Sequence, residues 1–533
     1  MPAHAIAPAP TGVAAFVGRA ARGPVNHPVA LATFAEFQRL FGGLHVDCAM
    51  AYAVRDFFLN GGRAAIVLRL AHADARAATI TLPCSGHRPE SLVLQARNVG
   101  GWGSGLSAAV RHESGRAAAP AAATPSARRT QRFDLHLRWQ PRQGDAVEEV
   151  FAGASTAPGD ASYLPELLER ASALVRVRGR MPGARPASTV PAGEGPAGLR
   201  WLAADAASGS DGGALEAADL LGDAEAGTGL HALARAEAMF DLLCIPPPTR
   251  DANTLPSAYV PVPAEVLDAA LALCVRRHAM LLVDPDPHWG SSAGRAVARA
   301  IDGSTALRAA GAPARNAALY FPCLRQSDPL REDRIDTFVP GGAVAGVIAR
   351  TDAAHGVWTA PAGTAARLAG VQALQVELGD SEAAQLQRAG LNGLRALDGG
   401  EHVVWGARTL RGGEDLADEF RHLPVRRMAL FLARSIEPGT AWAAFEPNGP
   451  ALWAQLRLSV GNFLLGLFRQ GAFQGVSAEE AFFVRCGLDT MTQDDIAQGR
   501  VVVLVGFAPL RPAEFVILRF GVQAQAQAQE RDA

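Results

Sequence analysis

The spacing of apolar residues changes several times along this 533-residue chain. Residues 1–12 are rich in Pro and Ala and read as extended, and residues 11–17 read as a strand. Residues 33–40 and 48–59 carry helical patterns. In the second, Val54, Phe57 and Phe58 recur at helical spacing until Asn60, Gly61 and Gly62 stop it. Residues 64–70 predict a strand. From about 78 to 180 a period of two takes over, and residues 132–139 (RFDLHLRW) alternate so that one face must be buried. The Ala/Pro/Ser/Arg stretch 115–129 reads as an exposed loop, and 180–199 as a linker.

Between 200 and 360 short apolar runs at 240–245, 279–283 and 317–321 alternate with helical patterns at 263–278 and 294–301. This alternation predicts a parallel sheet covered by helices. Residues 361–400 show little readable order. Further on, 421–436 and 450–468 predict amphipathic helices, the second started by Gly449-Pro450 and followed by Gly471. Strands are expected at 482–486, 501–507 and 514–520, with 508–512 as a hairpin turn. The repetitive polar tail 523–529 has nothing to bury. No internal repeat appears. The pattern gives an α/β body with a β-rich insertion and two extended ends.

Composition narrows the chemistry. Apolar residues make up 49% and charged residues 19%, the balance of a folded globular protein long enough for several domains. A net charge of −2 gives no general attraction to nucleic acid or acidic lipid. Lysine is absent, so all 50 basic residues are Arg. That excludes a P-loop and Schiff-base catalysis, which both need the Lys amine. Cys48, Cys84, Cys244, Cys274, Cys323 and Cys486 have neither metal-ligand nor redox spacing and read as buried reduced thiols, consistent with synthesis in a reducing cytoplasm. The N-terminus lacks the pattern of a signal peptide, and the longest apolar stretches read as too short or too interrupted to cross a bilayer.

The catalytic motifs searched for are missing: His-Glu-x-x-His, Gly-x-Ser-x-Gly and a helix-opening Gly-x-Gly-x-x-Gly. The glycine-rich residues 100–105 read as a tight turn. Asp284, Asp286 and His288, after a strand, have metal-ligand character, but Pro285 and Pro287 favour a turn. Ser291, His288 and Asp284 supply the residue types of a hydrolase without its elbow. Arg426, Arg427 and Arg485 read as ion-pairing residues rather than an anion site. No catalytic, cofactor-binding or metal residue is assigned, and no cofactor is expected.

At the C-terminal end the sequence resembles the contractile-tail sheath family. The resemblance lies in residues 425–436 (VRRMALFLARSI), Phe445 to Asn448, Leu452-Trp453, Gly471 to Phe473, Ala481 to Cys486, Thr490 to Gln493, Gly499-Arg500 and Pro512 to Val516, in family order. It continues upstream through Thr11 to Val13, Gly18, Gly23-Pro24, residues 34–41, Phe57-Phe58 with Asn60 to Gly62, residues 64–68, and the segments 242–246, 281–285, 317–322 and 404–408.

The resemblance implies a multidomain α/β protein. It would have an N-terminal arm (1–24), an inner domain formed by both chain ends (25–77 and 396–514), a β-rich variable outer domain (78–199), a middle parallel α/β domain (200–395) and a C-terminal arm (515–533). It also implies a non-enzymatic subunit whose hexameric rings stack helically around an inner tube and contract to drive that tube through a membrane. Its partners would be copies of itself, the tube protein, baseplate and terminator proteins, and sheath paralogues, with no nucleic acid and no membrane insertion. Assembly would be cytoplasmic, within a phage tail or tail-like injection particle.

Arms that add strands to neighbouring subunits would use Val13, Phe16, Val17, Phe515, Ile517, Phe520 and Val522; the competing reading pairs 515–520 with 501–507 in its own sheet, and both hold if the arm begins after Phe520. Tube-facing candidates are Arg457, Arg469, Asp489, Asp494 and Asp495, on the helix 450–469 and the segment 489–495, with solvated surface charge as the competing reading. Two other functions compete: a hydrolase on the middle α/β domain, and a non-contracting end-cap paralogue of the sheath.

Overall fold

The computed structural model describes residues 4–85, 89–112, 132–141, 145–190, 198–205, 208–510 and 515–525. The expected loop 115–129 and most of the tail 523–529 lie outside the described residues, as does part of the turn 508–512.

An eight-stranded sheet organises the body. Its strands are β1 (Val13–Gly18), β2 (Val29–Leu31), β3 (Ala64–Arg69), β11 (Leu242–Cys244), β14 (Met280–Val283), β15 (Ala317–Phe321), β19 (Asn392–Ala396) and β20 (His402–Val404), in the order β2-β3-β1-β11-β14-β15-β19-β20. The six inner strands are parallel, and an antiparallel strand closes each edge. Helices cover both faces, so the inner strands are apolar throughout rather than alternating. Along β1, Ala14 and Phe16 enter one core, with Phe37, Phe57 and Val344. Ala15 and Val17 enter the other, with Leu233, Val266 and Leu271.

The first core is built on helices α1 (Phe34–Phe41), α2 (Ala49–Leu59) and α4 (Gly341–His355). The second uses α3 (Ala264–Arg276). Helix α1 is capped at its start by the Thr33 hydroxyl, which accepts from the Glu36 N–H, and ended by left-handed Gly42. Helices α2 and α4 cross closely because Gly342 and Gly346 present no side chains there. A Cβ on Gly346 would lie 2.4 Å from the Phe57 carbonyl oxygen.

In this sheet β2 and β3, from residues 25–77, lie together with strands of the middle segment and with β20 from residues 396–514, because β1 pairs with β3 on one side and β11 on the other. The stretch 361–400, unreadable in the sequence, is ordered. It holds β18 (Ala373–Leu374), the helix Asp380–Arg388 and β19.

The insertion forms two sheets. One is β4 (Thr79–Pro83), β5 (Ser91–Ala96) and β9 (Val175–Val177). The other is β6 (Leu106–Arg111), β7 (Arg132–Trp139), β8 (Val147–Ser155) and β10 (Leu202–Ala203). They share one core, with Leu92, Leu94, Phe133 and Leu137 inside.

A hairpin, β12 (Thr249–Asp251) with β13 (Ala258–Val260), and a small sheet of β16 (Leu324–Asp328), β17 (Arg334–Phe338) and β18 are pinned together by fully buried Arg250. Its guanidinium donates to Asp328 (2.7 Å) and Asp336 (2.9 Å) and lies over the Tyr52 and Phe338 rings.

The C-terminal unit has its own core. It contains α5 (Leu423–Gly439), α6 (Pro450–Arg469), the short helix α7 (Gln493–Ala497) and an antiparallel sheet of β21 (Phe482–Arg485), β22 (Arg500–Phe507) and β23 (Val516–Gln523). Contrary to the sequence reading of apolar stretches, α6 is a 20-residue helix long and apolar enough to cross a membrane by length and composition. Leu452, Trp453, Leu456, Val460, Leu464 and Leu467 on it are buried in this core.

Candidate assembly surface

A buried ionic knot joins the C-terminal unit to the body. Arg427, on α5, donates two hydrogen bonds to Asp352 of α4, both 2.6 Å, and one to Asp241, 2.7 Å, just before β11. Asp241 also accepts from the N–H groups of Gly12 (3.1 Å) and Val13 (2.7 Å), at the start of β1. Gly12 has φ +70° and runs against the Ala349 backbone, where a Cβ would approach Ala349 Cα to 2.9 Å, so glycine is needed there. Burial alone would disfavour the Arg427 cation, but Asp352 and Asp241 outweigh it and hold the guanidinium charged. Burial raises the Asp352 carboxyl, opposed by Arg427. Arg434, one face further along α5, donates to the Pro10 carbonyl. The ion-pairing role expected for Arg427 is thus met by burial. Arg426 instead donates to Asn316 Oδ1 (2.7 Å) and stacks on Phe420.

Both chain ends run to this unit. His4 stacks on Trp442, Ile6 is buried against Gly439, and the Ala9 N–H donates to the Ser435 hydroxyl (3.0 Å). At the other end Gln525 exchanges backbone hydrogen bonds with Glu446 and Asn448. Buried Asn448 accepts from Trp453 Nε1 (2.8 Å) and donates to the Ile496 carbonyl (3.3 Å), which fixes the segment receiving the C-terminus.

Several large apolar residues are exposed on this unit. The three most exposed large apolar residues among those described, Val476 (91%), Phe445 (79%) and Leu488 (67%), all lie on it. Among the described residues the small sheet has two unpaired edges, the outer sides of β21 and β23. Its outer face carries Phe483 stacked on Phe515 and a cross-strand row of Arg485, Leu504 and Arg519.

Against this geometry the arm residues separate. Val13, Phe16 and Val17 are not a donated strand: β1 is paired along both edges inside this chain, and Phe16 and Val17 are fully buried. The N-terminal segment left outside the sheet ends at Gly12. Residues 516–520 pair within their own sheet. Strand β23 pairs with β22 from Val516 to Gln523, with Phe520 buried, Val522 half-buried, and Phe515 and Ile517 exposed.

The tube-facing candidates fall in separate places. Arg457 on α6 donates to the Cys486 carbonyl, and Asp489 is exposed nearby in the same turn region. Asp495 closes the capping box of α7 with Thr492, whose N–H it accepts, and this holds its carboxyl below the usual range. Asp494 and Asp495 both pair with Arg500, at 3.4 and 3.0 Å. Arg469 is exposed at the end of α6.

The hydrolase residues are not aligned for catalysis. The Ser291 hydroxyl donates to the His288 carbonyl rather than its ring, and the ring bonds Asp286. Asp284 instead accepts from the Gly341 N–H (2.7 Å) at the start of α4. Asp241, Asp352 and Arg434 were missed in the sequence. The available signal was a lone charge beside or inside an apolar run, as with Asp241 before Leu242 and Arg434 within 428–436.

No family model matches the sequence, and no curated protein matches it. Solved structures do match. The sheath tail protein of Listeria innocua aligns with a TM-score of 0.64 at 14% identity, over 97% of this chain and 96% of that one. The sheath tail protein of Desulfitobacterium hafniense aligns with a TM-score of 0.57 at 12% identity, over 96% of each. The sheath complex of an extracellular contractile injection system, in its contracted state, gives 0.53 at 18% identity over 99% and 95%. All three are described as sheath proteins, and this chain has their fold over nearly its whole length.

Proposed function

We propose that this chain is a structural subunit of a contractile sheath that polymerises as stacked six-membered rings around an inner tube and contracts to drive the tube through a target membrane. The observation that carries the reading is the C-terminal unit, where a three-stranded sheet whose two outer edges are unpaired among the described residues sits in the unit to which both chain ends run. Open edges are templates for strand addition, and terminal segments beside them are suited to reach an adjacent copy. Main-chain hydrogen bonding of that kind survives large changes in subunit angle, because it follows the strand and not the rigid body.

The near-complete fold likeness to sheath proteins, one of them solved contracted, supports the same reading. The inner tube, a baseplate and a terminator are the partners this role requires, with assembly in the cytoplasm of the producing cell. The exposed charges Arg457, Arg469 and Asp489 remain the proposed tube contacts, while Asp494 and Asp495 act mainly within α7 and its pairing with Arg500. Deleting residues 1–12 or 526–533 tests the reading. Each truncated protein stays folded by circular dichroism yet fails to form tubes in electron micrographs; full-length tubes from both truncations overturn the strand-exchange mechanism.

A further inference from the structure

We propose that a groove at the seam between the β-rich insertion and the α/β body binds a small ligand carrying more than one phosphate group. The groove measures about 590 Å3. Four arginines line it, Arg76, Arg97, Arg176 and Arg178, and none of its lining residues is acidic.

Strand geometry explains the concentration of charge. Strands β5 and β9 are antiparallel with Gln95 opposite Arg176. Leu94, Ala96 and Val175 point into the insertion core, so Gln95, Arg97, Arg176 and Arg178 share the opposite face. Arg76 joins them from the segment entering β4, fixed by paired backbone hydrogen bonds with Ser210.

The charges are incompletely compensated. Arg97 holds exposed Glu169 (2.7 Å), and Arg176 donates to the neutral Gln95 amide oxygen (3.1 Å). The nearby Asp205 is engaged by the Thr79 and Thr81 hydroxyls. Among the described residues Arg76 and Arg178 have no ion pair, and the half-buried Asn98 amide makes no hydrogen bond. Gathering like charges on one face is unfavourable unless an anion is present. A planar guanidinium fork matches phosphate oxygens two at a time. The volume exceeds one phosphate, and cations on two strands and an adjoining segment suit a ligand with phosphates spaced along it. This inference does not rest on the sheath reading.

The test is isothermal titration of the full-length protein with sodium tripolyphosphate at low ionic strength, alongside co-sedimentation with phosphatidylglycerol vesicles. The expected result is one-to-one tripolyphosphate binding that weakens with salt and falls about a hundredfold in the double variant Arg76→Gln/Arg178→Gln. Both residues are exposed, so the variant keeps its fold, checked by circular dichroism. Arg138→Gln, which removes an arginine paired with Glu148 elsewhere on the insertion, leaves binding unchanged. Vesicle binding that needs Arg76 and Arg178 identifies a lipid headgroup as the phosphate source; tripolyphosphate binding without vesicle binding identifies a soluble one. Absence of both at ~1 mM ligand, or equal affinity of parent and double variant, overturns the proposal.

Discussion

Replacing Arg427 with Met removes the cation of the knot that ties α5 to α4 and to the start of β11. The side chain is 2% exposed and makes three short charged hydrogen bonds. Its loss falls unevenly on the two acids. Asp241 keeps the Gly12 and Val13 N–H donors, while Asp352 loses both of its guanidinium hydrogen bonds. A buried charge stripped of its partner costs about 3–5 kcal/mol, more than the intact pair contributes over apolar packing. Because the knot joins segments near residues 12, 241, 352 and 427, the cost should appear as easier local opening of the C-terminal unit. At about 1.4 kcal/mol per tenfold, amide exchange across residues 425–436 should accelerate roughly a hundred- to several-thousand-fold, read by native-state hydrogen-exchange mass spectrometry.

The Arg427→Met defect is also pH-dependent. Without the cation, Asp352 in the folded state holds its proton to higher pH than in the unfolded chain. Stability therefore falls as pH rises through the range between the two values, and the defect is larger at pH 8 than at pH 5. Adding Asp352→Leu removes the stranded carboxyl and restores most of the protection. Exchange within tenfold of the parent, or a double variant no better than the single one, would refute this account of the knot.

Three further outcomes follow from other contacts. Burial pushes the Asp284 carboxyl up to about 7, against the pull of the Gly341 N–H. A raised folded value destabilises the protein as pH climbs from about 4 to 7, by at most about 4 kcal/mol. Asp284→Asn should then melt above the parent at pH 8 and match it at pH 4; an equal difference at both pH values contradicts this. Gly346→Ala puts a methyl group onto the Phe57 carbonyl where α2 and α4 cross. It should lower stability by about 1–3 kcal/mol, seen as a lower denaturant midpoint. Asn448→Ala frees Trp453 Nε1 and the segment that receives Gln525. A cost of about 1–3 kcal/mol is expected, with limited proteolysis revealing earlier loss of the C-terminal residues.

The sequence disclosed most of the elements and less of their partnership. The parallel strands 240–245, 279–283 and 317–321 were legible because continuous apolar runs bounded by turns have few other uses. The two C-terminal helices announced themselves by period and by Gly449-Pro450. What periodicity does not carry is long-range pairing. Val13 to Val17 looked like a free arm because its partners lie about 50 residues away in β3 and over 220 residues away in β11. The stretch 361–400 was opaque because its strands are short and its helix Asp380–Arg388 is mostly polar. The ionic knot joins four distant segments, each unremarkable alone. The phosphate groove arises only when two strands and an adjoining loop fold together.

The most direct test of the sheath assignment is electron microscopy of the full-length protein purified alone and co-expressed with the tube protein of its own particle. Striated tubes or stacked rings with six-fold symmetry are expected in at least the co-expressed sample. Uniform small particles in both samples, with the tube protein itself polymerised, would contradict it.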